Sequence, residues 1–115
     1  MTAQTPKEYA DQVSTQMRKG FLVYCVLMIC SKGEMYSSDI IQELRDTSFV
    51  VVEGTMYPLL NRLQKDGLLL HDWKESPSGP PRKYYRISPG GHDVLHELKH
   101  MTQQFQIVMT NLEKE

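Results

Sequence analysis

The sequence predicts a mainly α chain carrying one small β-hairpin. Three observations predict it. Apolar residues recur at helical spacing in three segments behind an apolar N-terminal run, a Gly/Pro-rich break separates two short runs around Trp73 and Tyr85, and a seven-residue apolar repeat marks the C-terminus. A length of 115 residues is about that of one domain. With 40% hydrophobic and 23% charged residues, the composition is that of a folded globular chain with a single core.

A first helix is expected from Pro6 to Cys30, with room for a bend at Gly20, because a polar half gives way to an apolar half without an intervening Pro. The apolar run, FLVYCVLMIC from Phe21 to Cys30, is about half of the ~20 residues a membrane span needs, so it reads as a buried helix. The polar N-terminus lacks the basic start and apolar stretch of a signal peptide, and a cytoplasmic protein without a membrane partner is expected. Cys25 and Cys30 point to different faces of this helix and read as buried thiols, with redox sensing as the rival reading. Ser37 or Ser38 is expected to cap a second helix through Asp46, whose inward stripe is Ile40, Ile41 and Leu44. SFVVV, Ser48 to Val52, reads equally as a buried connector or a short strand.

A third helix is expected from Gly54 or Thr55 to Asp66, with Pro58 in its first turn and Gly67 closing it in a left-handed conformation. Met56, Leu59, Leu60 and Leu63 fall on one face, and Pro58, Asn61, Arg62 and Lys65 on the other. Strands follow over Leu68 to Glu75 and Arg82 to Ser88, joined by SPSGPP, with Tyr85 and Ile87 on one side and Arg82, Tyr84 and Arg86 on the other. The last helix starts with Ser88 as cap and Pro89 at its first position, and runs to Leu112. On it Val94, Leu98, Met101, Phe105, Val108 and Leu112 form a heptad seam. We read that seam as the dimer interface to a second copy, with the first helix taking part. Packing on the chain's own first helix is the plainer alternative.

Three helices, a hairpin and a further helix make the element order of a winged helix-turn-helix with an N-terminal helix and a long C-terminal dimerisation helix. Residues 1–88 are then a DNA-binding domain and 89–115 the dimerisation helix. In that architecture the third helix enters the major groove, where Asn61 and Arg62 can pair with adenine and guanine edges and Lys65 can neutralise a phosphate. Thr55 and Tyr57 supply further donors near the helix start. Arg82 and Lys83 follow Pro80-Pro81, whose fixed φ angles reduce the entropy lost when they engage phosphates. A solvated helix face and a solubilising turn are the plainer readings. A net charge of −1 places any nucleic-acid role on local clustering, and Glu53 to Ser88 hold six Lys/Arg against four Asp/Glu.

The stretches GTMYPLLNRLQKDGLL, WKES and GPPRKYYRIS together resemble the signature of the PadR family of bacterial transcriptional regulators. The resemblance is close over Gly54 to Ser88, and the flanking helices agree in length and order. It implies a homodimeric winged-helix protein that binds double-stranded DNA, usually as a repressor, and a single C-terminal helix is similar to the short subgroup. Carried over by position, Thr55, Tyr57, Asn61, Arg62 and Lys65 lie on the recognition helix. Ser37 and Ser38 stand at the phosphate-facing start of the second helix, and Arg82, Lys83 and Tyr84 in the wing. Two departures stand out. Tyr36-Ser37-Ser38-Asp39-Ile40 replaces the frequent Y-G-Y-E-I, and Pro89-Gly90-Gly91 replaces an acidic pair, which predicts a frayed start to the last helix. Some relatives bind aromatic or drug-like molecules between subunits. Here Met101, Phe105 and Met109 are the residues available to line such a cleft for a small hydrophobic effector, with core packing as the alternative.

His92, His96 and His100 are read as a solvated face rather than a metal site, and Trp73 as hairpin packing, with ligand contact as the alternative. Phosphate loops, nucleophile elbows and H-E-x-x-H patterns are missing, so neither an enzyme nor a cofactor is expected. The rival function is a winged-helix protein-interaction or ligand-binding module without functional DNA affinity.

Overall fold

A computed structural model of the chain describes residues 3–49 and 51–114. The elements are α1 (Pro6–Cys30), β1 (Met35–Tyr36), α2 (Ser37–Asp46), α3 (Glu53–Lys65), β2 (Leu69–Ser76), β3 (Gly79–Ile87) and α4 (Pro89–Glu113). This is a mainly helical winged helix-turn-helix, as expected.

Thr5 and Glu8 form a capping box ahead of Pro6, and α1 then runs unbroken through Gly20. Its second half buries Leu22, Val26, Leu27, Ile29 and Cys30, whereas residues 6–21 are exposed. The cap of α2 is neither Ser37 nor Ser38. Tyr36 is extended and pairs with Tyr84, so the helical conformation begins only at Ser37, and the Asp39 carboxylate accepts the Tyr36 N–H at 3.1 Å. After α2, Ser48 turns left-handed at φ 68°, and the Phe49 N–H reaches back to the Leu44 carbonyl at 2.9 Å. That closure uses backbone a strand would need. The described residues of SFVVV therefore form a half-exposed connector rather than a strand or a buried segment, with Phe49 and Val51 half-buried and Val52 exposed; Val50 lies outside the described residues.

The Val52 carbonyl accepts from Thr55 and Met56, so α3 begins at Glu53 and Pro58 falls in the second turn, not the first. The bond it forgoes would reach the carbonyl of Gly54, which is exposed and open to water. Gly67 closes the helix at φ 79°, with Leu68 N–H bonded to the Leu63 carbonyl.

β2 and β3 pair from Leu69↔Ile87 to Ser76↔Gly79, with an irregularity between Lys74 and Ser76. The expected six-residue link SPSGPP contracts to Pro77-Ser78, because Gly79-Pro80-Pro81 extends into β3. Two consecutive prolines fit there because β1, the other neighbour of β3, pairs only with Tyr84 and Tyr85 and leaves one side an edge, while towards β2 both fall in the irregularity and lack a paired partner.

The start of α4 is ordered rather than frayed. The Ser88 hydroxyl accepts the Gly91 N–H at 2.9 Å and donates to the Gly67 carbonyl at 2.6 Å. Gly91 is buried, and a Cβ there would run into the Leu68 carbonyl and stand 2.7 Å from Ile87 Cγ1, so this approach requires glycine. Beyond it Val94, Leu95 and Leu98 pack against the core, while α4 from Met101 onward carries its apolar side chains exposed. The core itself gathers Val26, Leu27, Ile40, Leu44, Met56, Leu60 and Leu69 from α1, α2, α3 and β2.

Candidate nucleic-acid interface

At about 100° per residue, Met56, Leu59, Leu60 and Leu63 occupy one side of α3 and are all buried. The opposite arc runs from Tyr57 through Asn61, Lys65, Pro58 and Arg62 to Thr55, and each of these residues is exposed. Burial of one face thus fixes which way the other points.

The hairpin stands beside the Tyr57 edge of that arc. On β2, Leu69 is buried and His71 half-buried, and Trp73, two residues further, extends the same face past the core. Its cross-strand partner is Lys83, followed on that face by buried Tyr85. Between hairpin and helix lies a cleft of about 250 Å³, lined by Tyr36, Ser37, Tyr57, Asn61, Trp73, Pro81, Arg82, Lys83 and Tyr85.

Aromatic rings hold the wing cations. Lys83 Nζ lies 5.3 Å from the Tyr85 ring centroid and 6.0 Å from that of Trp73, and the Arg82 guanidinium lies 5.1 Å from Tyr36. Tyr84 is on the other face of β3, between Tyr36 at 5.7 Å and the ammonium of Lys74 at 5.1 Å. Lys74 also pairs with Glu34 at 3.1 Å, and Arg86 with Asp72 at 3.2 Å. Burial, with Tyr57 and Cys30 nearby, pushes the Tyr85 phenol above its ordinary range, so it remains a neutral floor.

The structure therefore brings Ser37, Tyr57, Asn61, Arg82 and Lys83 to one cleft, and leaves Arg62 and Lys65 on the adjoining outer arc of α3. Ser37 is buried, its hydroxyl 3.5 Å from that of Tyr57, whereas Ser38 is exposed. Thr55 lies apart and lines a second cleft with Arg18, Lys19 and Phe49. Trp73 is 63% exposed instead of packed, because β2 outruns the core at that point. Tyr36, Trp73 and Pro81 are cleft residues that spacing alone did not assign. Strand parity, counted outward from Leu69, is the signal that locates Trp73.

A different surface lies at the far ends of α1 and α4. Met101, Phe105, Val108, Met109 and Leu112 of the C-terminal helix are exposed, as are Tyr9, Val13, Met17 and Phe21, spaced every four residues along α1. His92, His96 and His100 are exposed too. Cys25 is half-buried and Cys30 buried; desolvation raises both thiols, that of Cys30 from 9.0 to about 12. Among the described residues, no helix is long and apolar enough to cross a membrane.

A helix-turn-helix whose second helix shares a cleft with a basic β-wing defines the class of winged-helix regulators. The model of the Transcriptional regulator PadR-like family matches residues 26–97, and the chain belongs to that family. It is 35% identical over 72 residues to the transcriptional regulator Rv3488 of Mycobacterium tuberculosis, a match covering 63% of this chain and 66% of that protein, just under two thirds of its length. Among solved structures it is similar to a PadR-like transcription factor from Bacteroides fragilis, at 44% identity and a TM-score of 0.78, covering 88% of this chain and 98% of the other. A PadR-like transcriptional regulator from Bacillus cereus is 39% identical with a TM-score of 0.77, covering 87% and 99%.

Proposed function

We propose that this transcriptional regulator is a homodimeric, sequence-specific DNA-binding repressor. The carrying observation is the outward arc of α3, with Asn61, Arg62 and Lys65 exposed beside a wing whose Arg82 and Lys83 are held by aromatic rings. Asn61 and Arg62 read base edges, while Lys65, Arg82 and Lys83 neutralise phosphates and Ser37 and Ser38 meet the backbone. Phosphate neutralisation supplies most of the affinity. Residues 1–88 act as the DNA-binding unit and 89–115 as the dimerisation helix. The apolar stripes of α1 and of α4 beyond Met101 support dimerisation, with α1 taking part, since two copies meeting there would cover both. Two-fold symmetry then sets half-sites about one turn of DNA apart, ~34 Å. A small hydrophobic effector would sit between subunits against Met101, Phe105 and Met109.

Selection of bound duplexes from a random DNA pool, followed by a salt titration, tests the reading. A related, roughly palindromic set of sequences, with affinity falling steeply as salt rises, is expected. Lack of any salt-dependent association with duplex DNA at low ionic strength would instead favour a protein-interaction or ligand-binding module.

A further inference from the structure

We infer that Trp73 is a direct DNA contact, its indole pressing on the deoxyribose of the strand whose phosphate Lys83 engages. The inference rests on the DNA-binding reading above and adds to it an apolar contact on the inner face of the wing.

A tryptophan is among the largest side chains to bury, and one exposed to 63% forgoes a substantial apolar gain. Here the ring is not stranded on an outer surface. It faces the α3 cleft together with Asn61, Tyr57 and Pro81, while its cross-strand neighbour Lys83 keeps its ammonium 6.0 Å from the indole centroid. Its ring also meets that of His71 at right angles, with the centroids 6.3 Å apart, and the side chain still remains 63% exposed.

The cleft pairs an apolar wall of Trp73, Pro81 and Tyr85 with the cations of Lys83 and Arg82, and has the Ser37 and Tyr57 hydroxyls along its base. A nucleic-acid backbone carries the complementary sequence, an apolar-faced sugar next to an anionic phosphate. In a duplex read by α3 in the major groove, the strand bounding that groove passes between recognition helix and wing, which is where this cleft lies. The occupant is accordingly the backbone of one strand of double-stranded DNA. A sugar contact releases no counterions, so Trp73 contributes affinity that salt does not screen, whereas Lys83 contributes affinity that it does.

The test uses the full chain and the duplex it binds best from a random pool. Trp73 is the chain's single tryptophan, so its emission reports this position alone. Emission and duplex affinity are measured across a salt series for the wild type, Trp73→Ala, Trp73→Phe and Lys83→Ala. Duplex binding should quench or shift the wild-type emission. Trp73→Ala, with an unchanged melting temperature, should weaken binding roughly tenfold at every salt concentration and leave the slope of log affinity against log salt unaltered. Trp73→Phe should recover most of the loss, and Lys83→Ala should flatten the slope.

Unchanged emission together with wild-type affinity in Trp73→Ala, while Lys83→Ala still weakens binding, would overturn the contact and leave the DNA reading standing. A slope flattened in Trp73→Ala as much as in Lys83→Ala would also overturn it, by making the indole only a prop for the ammonium. An equal emission change with single-stranded DNA alone would put an unstacked base in the cleft instead of a duplex backbone. Failure of the wild type to bind any duplex at low salt would remove the DNA reading and this inference together.

Discussion

Helices α3 and α4 are both amphipathic, and they treat their apolar faces in opposite ways. On α3 the stripe of Met56, Leu59, Leu60 and Leu63 is buried within the chain, so the opposite arc points outward by necessity. In α4 only the first turns do this: Val94 and Leu98 pack on the core, whereas Phe105 is 61% and Leu112 79% exposed. An element whose apolar side is satisfied internally presents its polar side as the working surface. One whose apolar side is left outside presents that side instead.

The largest way to break the contrast is to open the packed side of α3. Leu60→Ala should cost about 2–5 kcal/mol of stability, read as a fall in melting temperature, because Leu60 is wholly buried among neighbours that cannot fully collapse onto the gap. On α4 the corresponding change should spare folding. Phe105→Asp should keep the monomer's helical content while weakening self-association by about 1.5–3 kcal/mol for each ring the dimer buries, measurable by analytical ultracentrifugation. Unaltered association would mean that the exposed seam is not where copies meet.

Changes on the polar arc of α3 should be smaller still in stability and specific in binding. Arg62→Ala should cost about 1–3 kcal/mol at one base position and relax discrimination there in a substituted-site series, and retention of full discrimination would remove Arg62 as a base reader. Lys83→Ala should weaken binding to all sequences alike and reduce the salt slope by about one.

The last effect is confined to alkaline solution. The Cys30 thiol has an ordinary value of 9.0 in the unfolded chain and one of about 12 when folded. Between those values the unfolded state binds fewer protons than the folded state, so stability falls as pH rises through the window. Melting temperatures followed across that range should decline less in Cys30→Ala than in the wild type. Tyr85, also raised by burial, contributes in the same sense.

Long-period patterns were legible in the sequence. The buried stripes of α2 and α3, the left-handed Gly67 and the Ser88-Pro89 start of α4 follow from local spacing and capping chemistry. Features set by non-local pairing were not. β1 is two residues long and exists because Met35 and Tyr36 meet Tyr85 and Tyr84 about fifty positions away, and no local pattern encodes that. The same pairing moved the α2 cap to Tyr36 and buried Ser37. Around the site, Asn61, Arg62 and Lys65 could be placed outward from helical period alone. The exposure of Trp73 and the stacking of Arg82 on Tyr36 depend on how far β2 overreaches the core and where β1 docks.

One junction ties the end of α3 to the start of α4. Ser88 grips the Gly67 carbonyl just past the end of α3 and the Gly91 amide just inside α4, and Gly91 lies too close to the Leu68 backbone for any side chain to intervene. The end of α3 and the first turn of α4 therefore meet at a spacing set by one hydroxyl and one missing side chain.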